Sequence, residues 1–313
     1  MTSGWRPTRT QLKYRLGEYT LFTAAFDGVT CNQHFTELRT DEPPAPPFAV
    51  NARDAADVCV IWSQPVSKTL EKLTVADGWI RYVPRQYKRY YVDLQGSFEN
   101  YLKRFSSKTR STLVRKVRKF TEASGGAIDM REFRSPEDLD IFFAMAQEVS
   151  SKTYQERLLD SGLPKDGDFR SNARQAAARG EVRAYLLFLS GRPVAYIYCP
   201  VHAGILLYEY VGFDPDHQSL SPGTVLQYLT LKRLFDEGGY RMFDFTEGEG
   251  PHKALFATDS IYCADIYLYR HRVLNAAAVR AHLTVGYLSD GIAEALDWLG
   301  LKKAIKRMLR TAA

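Results

Sequence analysis

Carboxylates set between glycines and aromatic rings give this chain its first chemical signature. In MFDFTEGEGPHK, Asp244 lies between Phe243 and Phe245, Gly248 separates Glu247 from Glu249, and Lys253 follows Pro251 and His252. Strand alternation turns the Asp244 carboxylate away from the face of the two rings. Glu247 and Glu249 suit an amine substrate by charge pairing, or one of them acts as a base through water. Lys253, at the start of a short helix, suits a phosphate, a substrate carboxylate or a developing negative charge. His252 either titrates near neutrality or is a surface residue. Upstream, ILLYEYVGF places Leu207, Glu209 and Val211 on one face of a strand and Leu206, Tyr208 and Tyr210 on the other. A carboxylate on an apolar face has its pKa raised by desolvation, toward the range useful for a general base. Paired with a basic neighbour or set at a sheet edge, Glu209 would instead be structural. Tyr208 or Tyr210 either protonates a leaving group or lines a cleft.

Between these two segments stands Ser221-Pro222-Gly223-Thr224, directly before the apolar run VLQYLTLKRLF. A strand, a glycine-containing turn and a helix start aim backbone amides and a positive helix end at an anion, usually a phosphate. Pro222 fits the first helical position, and Gly223 allows close approach to the backbone. The competing reading is an ordinary Ser N-cap. An enzyme with a phosphate-bearing cofactor is the leading expectation. No Ser-His-Asp or Cys-His set is legible, so attack on substrate is expected to be direct. In KTRSTLVRKVRKF, Lys108, Arg110, Arg115, Lys116, Arg118 and Lys119 bring dense positive charge with no acid, over an apolar stripe of Leu113, Val117 and Phe120. Such a helix is a solvated face or a stripe for a polyanion, with Arg115 and Arg118 the residues expected to reach a cleft.

The elements that must position these residues are legible mainly after Glu181. EVRAYLLFL and VAYIYCPVH flank the turn Ser190-Gly191-Arg192-Pro193, a hairpin; ILLYEYVGF is a third strand, TVLQYLTLKRLFDEG a helix, YRMFDFTE a strand, PHKALFAT a short helix and IYCADIYLYR a strand. The order predicts an α/β fold with helices over a mixed sheet. Upstream, DVCVIWS, WIRYV, KRYYVDL and AIDMREF are strand candidates, SFENYLKRF is a helix, and Ser135-Pro136 opens a long one. The first forty residues show no clear period, and PPAPP at 43–47 reads as a linker or loop. The expected division is an N-terminal α/β lobe at 1–95, a core at 96–270 and amphipathic helices at 271–313.

With 313 residues, 45% hydrophobic and 25% charged, the chain is long enough for a large core and has a folded protein's composition. Net charge of +6 and a pI near 9.0 favour anionic partners. Cys31, Cys59, Cys199 and Cys263 form no metal-binding pair and read as reduced core residues, so no metal is expected. With neither a secretory signal nor an apolar stretch of bilayer length, the expectation is a cytoplasmic protein, or one peripheral to the inner face of the membrane. In DWLGLKKAIKRMLR, Leu301, Ile305 and Met308 share a face flanked by Lys302, Lys303, Lys306, Arg307 and Arg310. That pattern suits an anionic membrane surface or packing on the protein itself.

The order of elements from Glu181 to Arg270, with a turn and helix start after the central strand, resembles the GNAT acyltransferase fold. SPGTVLQYLTLKRLFDEGG and FDFTEGEGPHKALFA are similar to its branch of cellulose-biosynthesis-type and Fem-like acetyltransferases, and FSSKTRSTLVRKVRKF resembles the Arg-rich helix ahead of their core. The likeness covers roughly 88–270. It implies a mostly antiparallel mixed sheet flanked by helices, with an N-terminal lobe that is a candidate degenerate second copy. It implies acetyl-CoA or another acyl-CoA as donor, its pyrophosphate on the amides of Gly223, Thr224 and Val225 with a hydroxyl from Ser221 or Thr224. The implied acceptor is a primary amine, such as an amino sugar or amino acid group of a surface polysaccharide or envelope precursor. Glu209 or Glu247 is then the base, Tyr208 or Tyr210 the donor to the leaving thiolate, and Asp244 and Lys253 join Glu247 as catalytic residues. Two departures stand out: His252 occupies a place where the family often has an aromatic hydroxyl, and the Arg/Gln-rich glycine loop of simpler GNAT enzymes is missing. The alternatives are an aminoacyl-tRNA donor, as in Fem-like transferases, and a non-catalytic scaffold of an envelope biosynthesis complex.

Overall fold

The computed structural model describes residues 4–17, 19–49, 56–153 and 162–298. The chain opens with strands β1 (Trp5–Leu16), β2 (Tyr19–Cys31), β3 (Val58–Pro65), β4 (Leu73–Ala76) and β5 (Trp79–Asp93). Next come helices α1 (Phe98–Lys103) and α2 (Ser107–Ala123), strand β6 (Asp129–Phe133), and helices α3 (Pro136–Ser150) and α4 (Gly167–Ala178). Strands β7 (Val182–Leu189), β8 (Arg192–His202), β9 (Ile205–Leu207) and β10 (Tyr210–Phe213) lead to helix α5 (Pro222–Glu237). Strand β11 (Met242–Asp244), helix α6 (Pro251–Phe256), strand β12 (Asp259–Arg270) and helix α7 (Val273–Trp298) complete the described chain.

These elements form two compact units, one of residues 1–88 and 261–313, the other of residues 89–260. The boundaries fall inside β5 and β12, at 88/89 and 260/261, and not at 95/96 and 270/271. IYCADIYLYR therefore does not close the second unit: from Cys263 to Tyr269 it pairs antiparallel with β3 of the first. In that first unit the opening residues form a long antiparallel hairpin, Trp5↔Cys31 to Leu16↔Tyr19, and β2 runs parallel to β3. WIRYV and KRYYVDL are one strand; Pro84 falls just beyond the segment that pairs with β4, where its missing N–H is tolerated. Of the predicted C-terminal amphipathic segment, Leu301 to Arg310 lies outside the described residues. Among the described residues no helix is long and apolar enough to cross a membrane.

The second unit holds the site. Its strands stand in the order β5, β11, β9, β8, β7, β6, with β10 also on β8. Only β9 and β11 run parallel, through Met242↔Ile205 to Asp244↔Leu207; the other pairs are antiparallel. The mixed, mostly antiparallel sheet expected from the sequence is present. Alternation along β7 sends Tyr185 and Leu187 to one face, under Leu226, Leu231 and Leu234 of α5 and Leu113 and Phe120 of α2. Ala184, Leu186 and Phe188 go to the other, under Phe142, Phe143 and Val149 of α3 and Ala173 of α4. Each fully buried Leu or Phe adds roughly 1.5–3 kcal/mol of transfer free energy, so both helical layers are held firmly to the sheet.

Local signals set the element ends. Ser135 and Asp138 form a reciprocal capping box on α3, with Pro136 at its start. Ser190 and Gly191 both take positive φ in the two-residue turn between β7 and β8. Gly125 and Gly126, both at positive φ, follow the end of α2.

Candidate active site

The site begins at an irregularity in one strand. β9 pairs with β8 as Leu206↔Val201, whereas β10 pairs with it as Tyr210↔Tyr198, so one extra residue lies between them. Glu209 and Tyr210 form this bulge opposite Tyr198; the Glu209 amide donates to the Tyr198 carbonyl at 3.3 Å. The bulge corrects the expected alternation. Leu206, Tyr208 and Val211 pack in the core beneath α5, while Tyr210 packs with Tyr198 and Phe169 in the opposite core. Tyr208 and Tyr210 thus lie on opposite faces.

Beyond the bulge the two parallel strands part. The Tyr208 amide still donates to the Asp244 carbonyl at 2.8 Å, and Thr246 Oγ1 to the Tyr208 carbonyl at 3.3 Å. Past that point β10 keeps β8 as its strand partner. Because Asp214 N–H donates to Val194 at 2.8 Å, alternation turns the backbone groups of Val211 and Phe213 to the other edge. Gly212 has no room for a side chain: a Cβ there would meet Tyr196 Cε1 at 2.5 Å. Gly212→Ala is expected to cost about 1–3 kcal/mol by forcing that ring aside, readable as a lower urea midpoint with unchanged slope.

A short turn, Pro215–Leu220, carries the chain from β10 to α5. Ser221 takes a left-handed conformation (φ 54, ψ 48) and makes no side-chain cap to the helix. The ordinary Ser cap is therefore absent. Val225 N–H donates to the Ser221 carbonyl at 3.0 Å, which removes Val225 from the expected anion-binding amides. Pro222, buried, has no N–H, so Gly223 and Thr224 carry the amides at the positive helix end. A Cβ on Gly223 would stand 3.2 Å from the Phe213 ring. α2 lies against α5, and Lys116 Nζ donates to Thr224 Oγ1 at 3.4 Å, Lys119 Nζ to the Ser219 carbonyl at 3.0 Å. Arg115 and Arg118, expected to reach a cleft, are exposed, and Arg118 pairs with Glu122 at 3.6 Å. Helical phase decides this: with Leu113, Val117 and Phe120 facing the core, Lys116 and Lys119 fall on the flank next to α5.

A cavity of about 470 Å³ extends from this helix start, with Gly223, Thr224 and Gln227 on one side, Tyr208 and Val211 on another, and His252 and Phe256 from α6. Glu209 is exposed at the bulge. Desolvation by the surrounding protein raises its pKa, and the nearby Glu247 charge raises it further. Burial likewise pushes the Tyr208 hydroxyl well up, so it stays protonated at neutral pH. Burial lowers His252, helped by Lys253, and favours its neutral imidazole. Burial also lowers Lys253, against the opposing pull of Asp244 and Glu247; its Nζ donates to the Glu247 carbonyl at 2.7 Å.

Asp244 is not available for chemistry. It is fully buried, and Arg89 Nε donates to its two oxygens at 3.0 and 3.1 Å; Arg89 is itself 7% exposed. Its Oδ1 also accepts from Thr246 N–H at 2.9 Å, holding a residue at φ 59. The carboxylate thus anchors the loop that carries Glu247. Glu249 is exposed on the same loop.

Residues 107–254 match the model of an acetyltransferase (GNAT) domain family. This stretch is a GNAT-type acetyltransferase domain. It contains the bulge, the α5 turn, α2 and the Glu247 loop, and the resemblance read from the sequence holds. Among solved structures, FemX aligns at 12% identity over 86% of this chain and 89% of its own, with a TM-score of 0.48. The C-terminal domain of a putative lysylphosphatidylglycerol synthetase from Agrobacterium fabrum aligns at 14% identity over 73% and 72%, TM-score 0.44. A conserved protein of unknown function from Bacteroides thetaiotaomicron aligns at 11% over 63% of this chain and 64%, just under two thirds, of its own, TM-score 0.42. Curated proteins give no match to the sequence.

In the GNAT-type domain Tyr208, Gly223 and Thr224 share the cavity wall, while Glu247 neighbours both Glu209 and Lys253 outside that lining; Asp244, Tyr210, Arg115, Arg118 and Val225 take other roles. Gln227 and Arg89 enter only with the structure, and within the basic stripe it is Lys116, not Arg115 or Arg118, that reaches the helix start. A lone amide in the apolar run VLQYL is the sequence signal that marks Gln227. Among the described residues no three His, Cys, Asp or Glu side chains are grouped as metal ligands.

Proposed function

We propose that this protein is an N-acyltransferase that moves an acyl group, with acetyl as first candidate, from acyl-CoA to a primary amine. The observation that carries the reading is the cavity joining an uncapped helix start to the bulged strand on which Glu209 stands. The residues fit coenzyme A: the Gly223 and Thr224 amides suit the pyrophosphate, with Lys116 adding charge. The edge of β10 turned away from β8, at Val211 and Phe213, suits an extended arm rich in amides. When bound, the cofactor supplies an acyl group activated as a thioester.

Glu209 takes the proton from the acceptor ammonium; its raised pKa makes it a stronger base than an ordinary carboxylate. Nitrogen would then bond to the acyl carbon of the bound thioester as its C–S bond breaks. Tyr208, protonated and beside the bulge, returns a proton to the leaving thiolate and is restored by the second proton that the nitrogen sheds as the amide forms. Glu247, exposed beside Glu209, adds negative charge that attracts the amine. An amino sugar or amino acid group of a surface polysaccharide or envelope precursor fits this charge pattern.

The test is the melting temperature of the purified protein with coenzyme A, acetyl-CoA and longer thioesters. Ligand at 100 times its dissociation constant adds about 2.7 kcal/mol, a clear upward shift. Gly223→Val, whose larger side chain crowds Phe213 and the phosphate position, is expected to abolish the shift. No shift with any thioester in the wild type would overturn the reading. Ribonuclease-sensitive activity, with binding that falls steeply with salt, would then support an aminoacyl-tRNA donor at the basic α2.

A further inference from the structure

Gln227 stands out in the cavity wall. It is 2% exposed, it lines the cavity, and neither its Oε1 nor its Nε2 has a hydrogen-bond partner in the structure. Its neighbours on α5, Val225, Leu226 and Leu231, are fully buried and apolar. A buried carboxamide with both ends unpaired is costly, and an apolar side chain of the same shape would relieve that cost. The residue is explained if a ligand entering the cavity offers a donor and an acceptor side by side.

We propose that Gln227 recognises a secondary amide of the donor's pantetheine arm, its Oε1 accepting from the amide N–H and its Nε2 donating to the amide carbonyl. This rests on the reading of the donor as a coenzyme A thioester and deepens it. Position along α5 selects the arm over the acyl group. Gln227 lies three residues past Thr224 and four past Gly223, about 4.5–6 Å along the helix axis from the phosphate-binding amides. That rise is comparable with the short carbon chain between the phosphate and the first amide of the arm. The 3′ end of an aminoacyl-tRNA has a ribose, not an amide, at that remove from its phosphate. Gln227 thus separates pantetheine thioesters from nucleotide esters, a distinction the phosphate-binding turn alone does not make.

The experiment titrates wild type, Gln227→Leu and Gln227→Met with coenzyme A, and with adenosine 3′,5′-bisphosphate as a probe that has phosphates but no arm. Both variants are expected to melt at or above the wild-type temperature, because an unpaired buried amide is removed. Coenzyme A affinity should fall about tenfold in each, with affinity for the armless probe unchanged. Equal coenzyme A affinity in wild type and variants would overturn the role of Gln227 and leave the donor reading intact. An equal loss for both ligands would also overturn it, since that marks damage to the helix start. Failure of the wild type to bind coenzyme A would overturn the donor reading and this inference with it.

Discussion

Asp244→Ala is expected to destabilise the protein by about 3–5 kcal/mol, the range for removing one partner of a buried ion pair. The substitution leaves the Arg89 guanidinium, 7% exposed, without the carboxylate that accepts from its Nε at 3.0 and 3.1 Å. It also deprives Thr246 N–H of its acceptor. Urea unfolding reads the loss as a lower midpoint. The same defect frees the Glu247 loop, so catalytic rate should fall even where the variant remains folded. Replacing both residues, as Arg89→Met with Asp244→Leu, should recover much of the stability, because no uncompensated charge remains. A loss under 1 kcal/mol in the single variant would show that the pair is no anchor.

Glu209→Gln carries the larger effect on activity, a fall of about 10²–10⁴ in kcat, the usual contribution of a positioned general base. Coenzyme A affinity should not change, since the carboxylate lies at the bulge and not at the helix start. The pH profile gives the sign. Desolvation raises the pKa of Glu209, so the base form, and with it kcat/KM, is gained as pH rises through a pKa above that of an ordinary glutamate. The variant should lack that limb. Stability moves the other way: the protonated form is favoured in the fold, so this group's contribution is present below the unfolded-state pKa and is lost as pH rises through the folded one. Glu209→Gln should therefore be neutral or slightly stabilising near pH 7. Full activity in this variant, with loss instead in Glu247→Gln, would transfer the role of base to Glu247.

The second unit was largely legible because its signals are local. The Ser190-Gly191 turn, the Ser135 cap and the apolar period of α5 each depend on a few neighbouring residues, and each appears where expected. The bulge was not legible, since one unpaired residue changes the register without changing composition, and it reversed the relation of Tyr208 to Tyr210. Asp244 read as catalytic because nothing in the sequence ties it to Arg89, a partner 155 positions away. The hairpin at the start was also hidden. Thr10, Leu12 and Tyr14 alternate inward on β1, but β2 exposes Leu21 and Phe22 and so shows no clean two-residue period.

The division of the chain gives synthesis a direction. The unit bearing the transferase site is one unbroken run, complete once residue 260 has left the ribosome. The other unit must wait: Val60 of β3 pairs with Tyr267 and Cys59 with Leu268, across some two hundred intervening residues. Its first strands are made well before their partner, an order that leaves a β-edge unpaired until β12 emerges and exposes it to other nascent chains.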